Sequence, residues 1–155
     1  MLRKGPDSLP KSWLFFYVAL FVSVLVSTIT SEIVSAGVNP MHDVTLFLAM
    51  INVAFYFVVI QIAGYPKRYL QSLTAILGAD AIITVVYLVG FIAINLFADR
   101  STTLSFMWLV TGWSVAVEGN IIARAIERPW AIGIAIAVLS YILLLLTYWQ
   151  LTKLP

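Results

Sequence analysis

No cysteine occurs in these 155 residues. A disulfide framework, a thiolate nucleophile and any cysteine-ligated zinc or iron–sulfur site are therefore excluded. Histidine occurs once, as His42. One histidine beside one acid, Asp43, does not make a metal site, and it reads as a helix start with Asp43 near the positive helix end. Charge is scarce too: 10% of residues are Asp, Glu, Lys or Arg, against about 25% in a soluble domain. A chain this poor in charge, with a mean hydropathy of +1.01, cannot cover itself with a polar surface, so lipid must be part of its solvent. No phosphate-binding glycine loop is present, and no serine–histidine–acid set can be assembled. No cofactor motif and no catalytic constellation follow from the residues.

What is there is apolar sequence in five long stretches. They run from about Trp13 to Ser31, Asp43 to Ala63, Ser72 to Phe97, Leu104 to Ala123, and Trp130 to Leu151. Crossing the hydrocarbon takes about 20 residues per helix, so five spans leave only short loops and no room for a soluble domain. Backbone polar groups have no water to bond in lipid, and the segments are too long for barrel strands, so each is predicted helical. The breaks carry turn residues: Gly37 with Asn39-Pro40, Gly64 with Pro66, Asp99 with Ser101, and Pro129. The first stretch competes with a signal peptide, since Val34-Ser35-Ala36 resembles a cleavage site. It is longer than an h-region of about 7–15 residues, however, and is read as a retained span. The expected organisation is a tail over 1–12, one five-helix transmembrane domain over 13–151, and a short tail over 152–155.

Orientation follows from the basic residues. Of nine Lys and Arg, Arg3, Lys4, Lys11, Lys67, Arg68, Arg124 and Arg128 fall on one side, leaving Arg100 and Lys153 on the other. The N-terminus is expected in the cytoplasm and the C-terminus outside, in a bacterial inner membrane. The sequence pI of about 9.0 follows this topology, and nucleic acid is not expected as a partner. Trp13, Tyr65, Tyr69, Trp130 and Trp149 stand near span ends, where an interfacial aromatic belt belongs. The basic aromatic loop containing Lys67 and Arg68 suits anionic lipid headgroups, or is ordinary positive-inside charge.

Small residues mark contact faces between helices in lipid. Ala19, Ser23, Ser27 and Ser31 form an unbroken stripe at four-residue spacing along the first span. Gly112 with Ala116, Gly133 with Ala137, and Ala75 and Ala79 around Gly78 mark faces on the others. Internal packing of the bundle and docking of a partner subunit both fit the first-span stripe.

Two carboxylates, Asp80 and Glu118, lie inside spans, where an ionisable side chain is costly and calls for a reason. Both fall in the half of the membrane nearer the N-terminal side. Asn120 and Arg124 share one helix face, as do Thr111, Ser114 and Glu118; Thr84 and Tyr87 continue the face of Asp80. One reading has Arg124 or Arg128 reaching back to pair with Asp80 or Glu118 and locking the third and fourth spans together. A second has the acids protonated and hydrogen-bonded to Asn120, Ser114 or Thr84. A third makes them a proton or cation path, for which the other leaflet offers few polar groups, among them Asn52, Asn95 and Thr111.

The stretch KRYLQSLTAILG from Lys67 to Gly78, and WSVAVEGNII from Trp113 to Ile122, resemble the third and fourth spans of the Yip family of Ypt-interacting proteins, particularly its small bacterial relatives. The resemblance covers most of the chain through apolar residues and topology. It implies five spans and a non-enzymatic scaffold or accessory subunit that docks membrane proteins and lipid, with no catalytic residues. Eukaryotic members bind Rab-type GTPases through a longer N-terminal region, and that property is not carried over here. The alternative function is a small proton- or ion-coupled transport component using Asp80 and Glu118.

Overall fold

Apolar sequence with turn residues at its breaks folds here into helices and nothing else: among the described residues of this computed structural model, 12–35, 42–97 and 99–151, there is no strand. The basic tail with Arg3, Lys4 and Lys11, the turn at Gly37 and Asn39-Pro40, and Lys153 lie outside the described residues. The elements are α1 (Trp13–Ser35), α2 (His42–Ile62), a single 3-10 turn (Pro66–Arg68), α3 (Tyr69–Phe97), α4 (Arg100–Ala125) and α5 (Trp130–Leu151).

Among the described residues, four segments are long and apolar enough to cross a membrane: Trp13–Val34, Pro66–Phe97, Arg100–Ala125 and Trp130–Leu151. The apolar part of α2, Leu46–Ile62, is shorter. Large apolar side chains such as Leu14, Phe21, Leu96, Trp108 and Leu109 face outward on these helices. In water they would be an aggregation surface; facing lipid they need no cover. The helices thus fit a multi-pass membrane protein.

Several helices run past the expected span ends, for local reasons. Pro66 opens a 3-10 turn that feeds straight into α3, so α3 starts at Tyr69 rather than Ser72. Asp99 caps α4: its carboxylate accepts from the Thr102 amide at 3.2 Å and the Thr102 hydroxyl at 2.5 Å. These bonds satisfy orphan donors of the first turn and hold the Asp99 carboxyl below its ordinary value, the hydroxyl bond foremost. Helix α4 therefore begins at Arg100 instead of Leu104.

Helices α2 and α4 end in the same way. Tyr65 N–H donates to the Ile60 carbonyl at 3.2 Å and Gly64 N–H to Gln61 at 3.0 Å, with Gly64 at φ +86°. After α4, Arg128 N–H donates to the Ala123 carbonyl at 2.9 Å and Glu127 N–H to Arg124 at 3.4 Å. Both are Schellman caps, which require a left-handed residue just past the helix. Gly64 fills that position without strain, whereas Glu127 occupies it at φ 52°, a conformation that disfavours a side chain.

Contacts run in a row from α1 to α3, α4 and α5, and α2 touches both ends of the row as well as α3, closing a ring. The closest crossing joins α4 and α5. A Cβ built on Gly133 would stand 2.0 Å from the Gly119 carbonyl, and one on Gly119 would stand 2.8 Å from the Ile134 Cα. The small-residue pair that α4 offers α5 is therefore Gly119 with Ala123. The expected pair, Gly112 with Ala116, lies elsewhere on the helix, and nothing stands within 4 Å of a Cβ on Gly112. On α3, Gly90 receives the ring of Phe106 from α4. Tyr56 and Ile60 of α2, Ile76 of α3 and Ile122 of α4 are among the most deeply buried side chains.

Candidate functional site

Ring closure gathers polar side chains from all five helices into one layer. Counted at 1.5 Å per residue, Ser23, Asn52, Asp80, Glu118 and Ser140 each lie about 10–17 Å along their helix from the end of the bundle that carries Arg68 and Glu127. Ser23 of α1 donates to Asp80 of α3 at 2.5 Å. Tyr56 of α2 donates to one oxygen of Glu118 on α4 at 2.6 Å, and Ser114 to the other at 3.3 Å. Ser140 of α5 donates to the Asn52 side-chain carbonyl of α2 at 2.8 Å. Three of these bonds join different helices, and each brings an apolar helix's rare hydroxyl onto a polar partner that lipid would not solvate.

Both carboxylates open onto a cavity of about 280 Å³ between α2, α3, α4 and α5. Asn52, Thr84, Tyr87, Thr111, Ser114, Ser140 and Tyr141 line it with Asp80 and Glu118, and Ile83, Val110, Val115, Ala137 and Leu144 supply its apolar wall. A second cavity, of about 190 Å³, lies on the α1 side and shares Asn52, Asp80 and Leu144 with the first. Asp80 thus borders both, with Ser23 and Ser27 on its α1 side.

The expected ion pair of Arg124 or Arg128 with these acids does not form among the described residues; hydroxyls take that place. Helical rotation is the reason. At about 100° per residue, Arg124 and Asn120 share a face, but Asn120 is turned roughly 200° from Glu118. Neither Asn120 nor Arg124 lines the cavity. Arg128 lies beyond the end of α4 and is exposed. The line through Thr111, Ser114 and Glu118 does face the cavity, as do Thr84 and Tyr87 beside Asp80. Asn95 is exposed and does not line the cavity.

The small stripe on α1 points inward at Ser23, which is buried on Asp80, and at Ala19, which packs on the core. Ser27 borders the second cavity and Ser31 is half-buried. In the basic loop, Lys67 is exposed, but Arg68 is engaged. Its guanidinium lies 2.8 Å from the Glu127 carboxylate, donates to the Ala125 carbonyl at 3.4 Å and lies 5.1 Å from the Tyr65 ring centroid.

Sequence reasoning missed Tyr56 and Ser140 as members of the polar layer. A tyrosine or serine in an apolar helix is not unusual, and only the helix pairing shows what it meets. A four-residue stripe containing Ser23 was visible, but its acceptor, 57 positions away, was not. No cluster of three or more His, Cys, Asp or Glu side chains that could hold a metal occurs among the described residues. No family model, no curated protein and no solved structure matches this chain, so the Yip resemblance gains no support beyond the residues that suggested it.

Proposed function

We propose that this chain is a small proton- or ion-coupled membrane component in which Asp80 and Glu118 are the exchanging groups. The observation that carries the reading is that both carboxylates border one cavity inside the bundle, with hydroxyl partners and no cationic one among the described residues. A carboxylate at membrane depth without a counter-charge is costly. A site that holds two of them beside open volume is suited to taking up a positive charge, as a proton or a cation, and giving it back. In this reading α2 is the fifth span and the protein sits in a bacterial inner membrane, with the Arg68 and Glu127 end of the bundle in the cytoplasm, on the side rich in basic residues.

The scaffold or accessory-subunit reading rests on an outward docking face. The first-helix stripe lends it little, because Ser23 and Ala19 are spent on contacts within the bundle. The Yip resemblance points the same way as that reading and has only the apolar pattern behind it.

The test is reconstitution into liposomes that enclose a pH-sensitive dye, with an imposed inside-negative potential. Proton uptake above that of protein-free liposomes, abolished by Asp80→Asn and by Glu118→Gln, is expected. Uptake equal to the protein-free control, or unchanged in both variants, overturns the proposal.

A further inference from the structure

The cavity is far larger than a proton or a bare inorganic ion requires. A dry cavity of about 150 Å³ holds benzene, so about 280 Å³ has room for an aromatic or branched aliphatic body and a short chain. Its lining is divided in character: two carboxylates with Ser114 and Thr84 offer acceptors, while Ile83, Val110, Val115 and Leu144 are apolar. Tyr141 adds an aromatic ring, a feature by which proteins hold organic cations, while the Tyr87 ring, stacked with Phe91 and Phe106, adds apolar wall. Tyr141 is 41% exposed and also borders the cavity, so the wall reaches the outer surface of the bundle at that residue. An amphiphile dissolved in lipid could reach the cavity there.

The bonding inventory leaves acceptors open at the cavity. Asp80 Oδ1 and the Thr84 hydroxyl have no partner among the described residues, and each Glu118 oxygen accepts only one bond. A polar group left open at a cavity is normally met by water or a ligand. A hard divalent cation needs six or more oxygen ligands in close array; two carboxylates on a half-apolar wall do not offer that. An ammonium needs two or three acceptors and tolerates an apolar surround for the rest of the molecule.

We infer that the cavity binds a small organic ammonium compound, its N–H donors on Asp80 and Glu118 and its apolar body against Tyr87, Tyr141 and Leu144. This deepens the exchange reading above and rests on it for the coupling, since a proton leaving the acids and an ammonium arriving there conserve the charge of the site. The ligand class is set by size, charge and amphiphilicity; binding would weaken as the acids are neutralised at low pH.

The test uses the full chain in lipid nanodiscs, with 2-phenylethylammonium as probe and 2-phenylethanol, of matching size without the charge, as comparator. Calorimetric titration is expected to show saturable binding of the ammonium, with the alcohol about tenfold or more weaker, a difference of about 1.4 kcal/mol. Asp80→Asn and Glu118→Gln should weaken the ammonium by a similar factor. Thr111→Phe keeps both carboxylates and fills the cavity, and it should abolish binding while helix content and elution volume stay as in the parent. Because Thr111 only bonds its own helix, at Met107, that substitution remains informative if the carboxylate variants do not fold. Equal binding of alcohol and ammonium, undiminished binding in Thr111→Phe, or no saturation by the ammonium overturns the inference. Proton uptake in liposomes without ammonium binding removes this inference and leaves the exchange reading standing. Binding without proton uptake removes the exchange reading and leaves the site.

Discussion

Arg68 and Glu127 form an ion pair at 2.8 Å that ties the turn before α3 to the turn after α4. Tyr65 joins it, donating its hydroxyl to the other Glu127 oxygen at 3.1 Å. The bridge gives a reason for a glutamate at φ 52°, a position that a Schellman cap ordinarily gives to glycine. Its side chain is exposed, so the pair alone is worth little; its effect is to fix how two loops, and the helix ends behind them, sit together.

Acid should release this bridge. The Arg68 hydrogen bond foremost, then the Tyr65 bond and the Arg68 charge, hold the Glu127 carboxyl below its ordinary value of 4.5. A carboxyl depressed on folding stabilises the fold fully above the unfolded value, and the contribution is lost as pH falls through the lower folded value. Thermal unfolding followed by tryptophan fluorescence should therefore show a modest loss of Tm as pH falls below about 4.5, and Arg68→Ala should flatten that part of the profile. Glu127→Gly should flatten it equally but lose less Tm at neutral pH, because it also relieves the left-handed backbone. A parent profile identical to that of Arg68→Ala would show that the bridge carries no stability.

Glycine substitutions should separate by position. Gly133→Ala puts a methyl group 2.0 Å from the Gly119 carbonyl and must push α4 and α5 apart, at a cost of about 1–3 kcal/mol. Gly78→Ala and Gly112→Ala meet nothing within 4 Å and should be neutral or stabilising by up to about 1 kcal/mol through helix propensity. Denaturation in mixed micelles measures all three. A Gly112→Ala loss as large as that of Gly133→Ala would mean that α5 crosses α4 about two turns nearer Gly112, on the same face.

Helices were legible in the sequence because lipid leaves the backbone no alternative, and Trp130–Leu151 falls where the apolar pattern puts it. Helix ends were less legible. Those of α3 and α4 depend on a proline-led turn, an aspartate cap and a left-handed glutamate, features that hydropathy does not register. The two carboxylates stood out by chemistry alone. Their partners did not, because an arginine six positions from Glu118 looks near in sequence and is turned to another face of the helix. Gly112 and Gly119 are equally small and, about two turns apart, share nearly one face of α4; the height at which α5 crosses, visible only in the packed bundle, decides which one it meets.

Tyr56→Phe isolates one bond of the polar layer. Tyr56 is fully buried, and phenylalanine keeps its volume while removing the donor to Glu118. An interhelical hydrogen bond in a membrane protein is worth about 0.6 kcal/mol on average and up to about 1.7, so a loss of about 1 kcal/mol is expected. Ser23→Ala should cost a similar amount through Asp80. Ser23→Leu forces a large side chain into a buried position and should cost more, about 1–3 kcal/mol. Loss of a partner protein with Ser23→Leu would therefore report damage to the bundle, and Ser31, half-buried at the end of the same stripe and away from both cavities, is the better position to test docking there. A neutral Tyr56→Phe would show that Glu118 is served well enough by Ser114 alone.

The absence of cysteine makes the membrane orientation directly measurable, since any thiol introduced is the only one. Lys67→Cys stands in the exposed turn between α2 and α3, and Ser101→Cys in the exposed first turn of α4. These sites lie at opposite ends of α3, so one membrane-spanning α3 puts them on opposite sides. With basic residues inside, a membrane-impermeant maleimide added to intact cells should label Ser101→Cys and spare Lys67→Cys until the membrane is permeabilised. The reverse pattern would invert the topology and with it the direction from which Asp80 and Glu118 are reached. Labelling of both in intact cells would mean that α3 does not cross the membrane, and a cavity walled by α3 could not then serve as an intramembrane site.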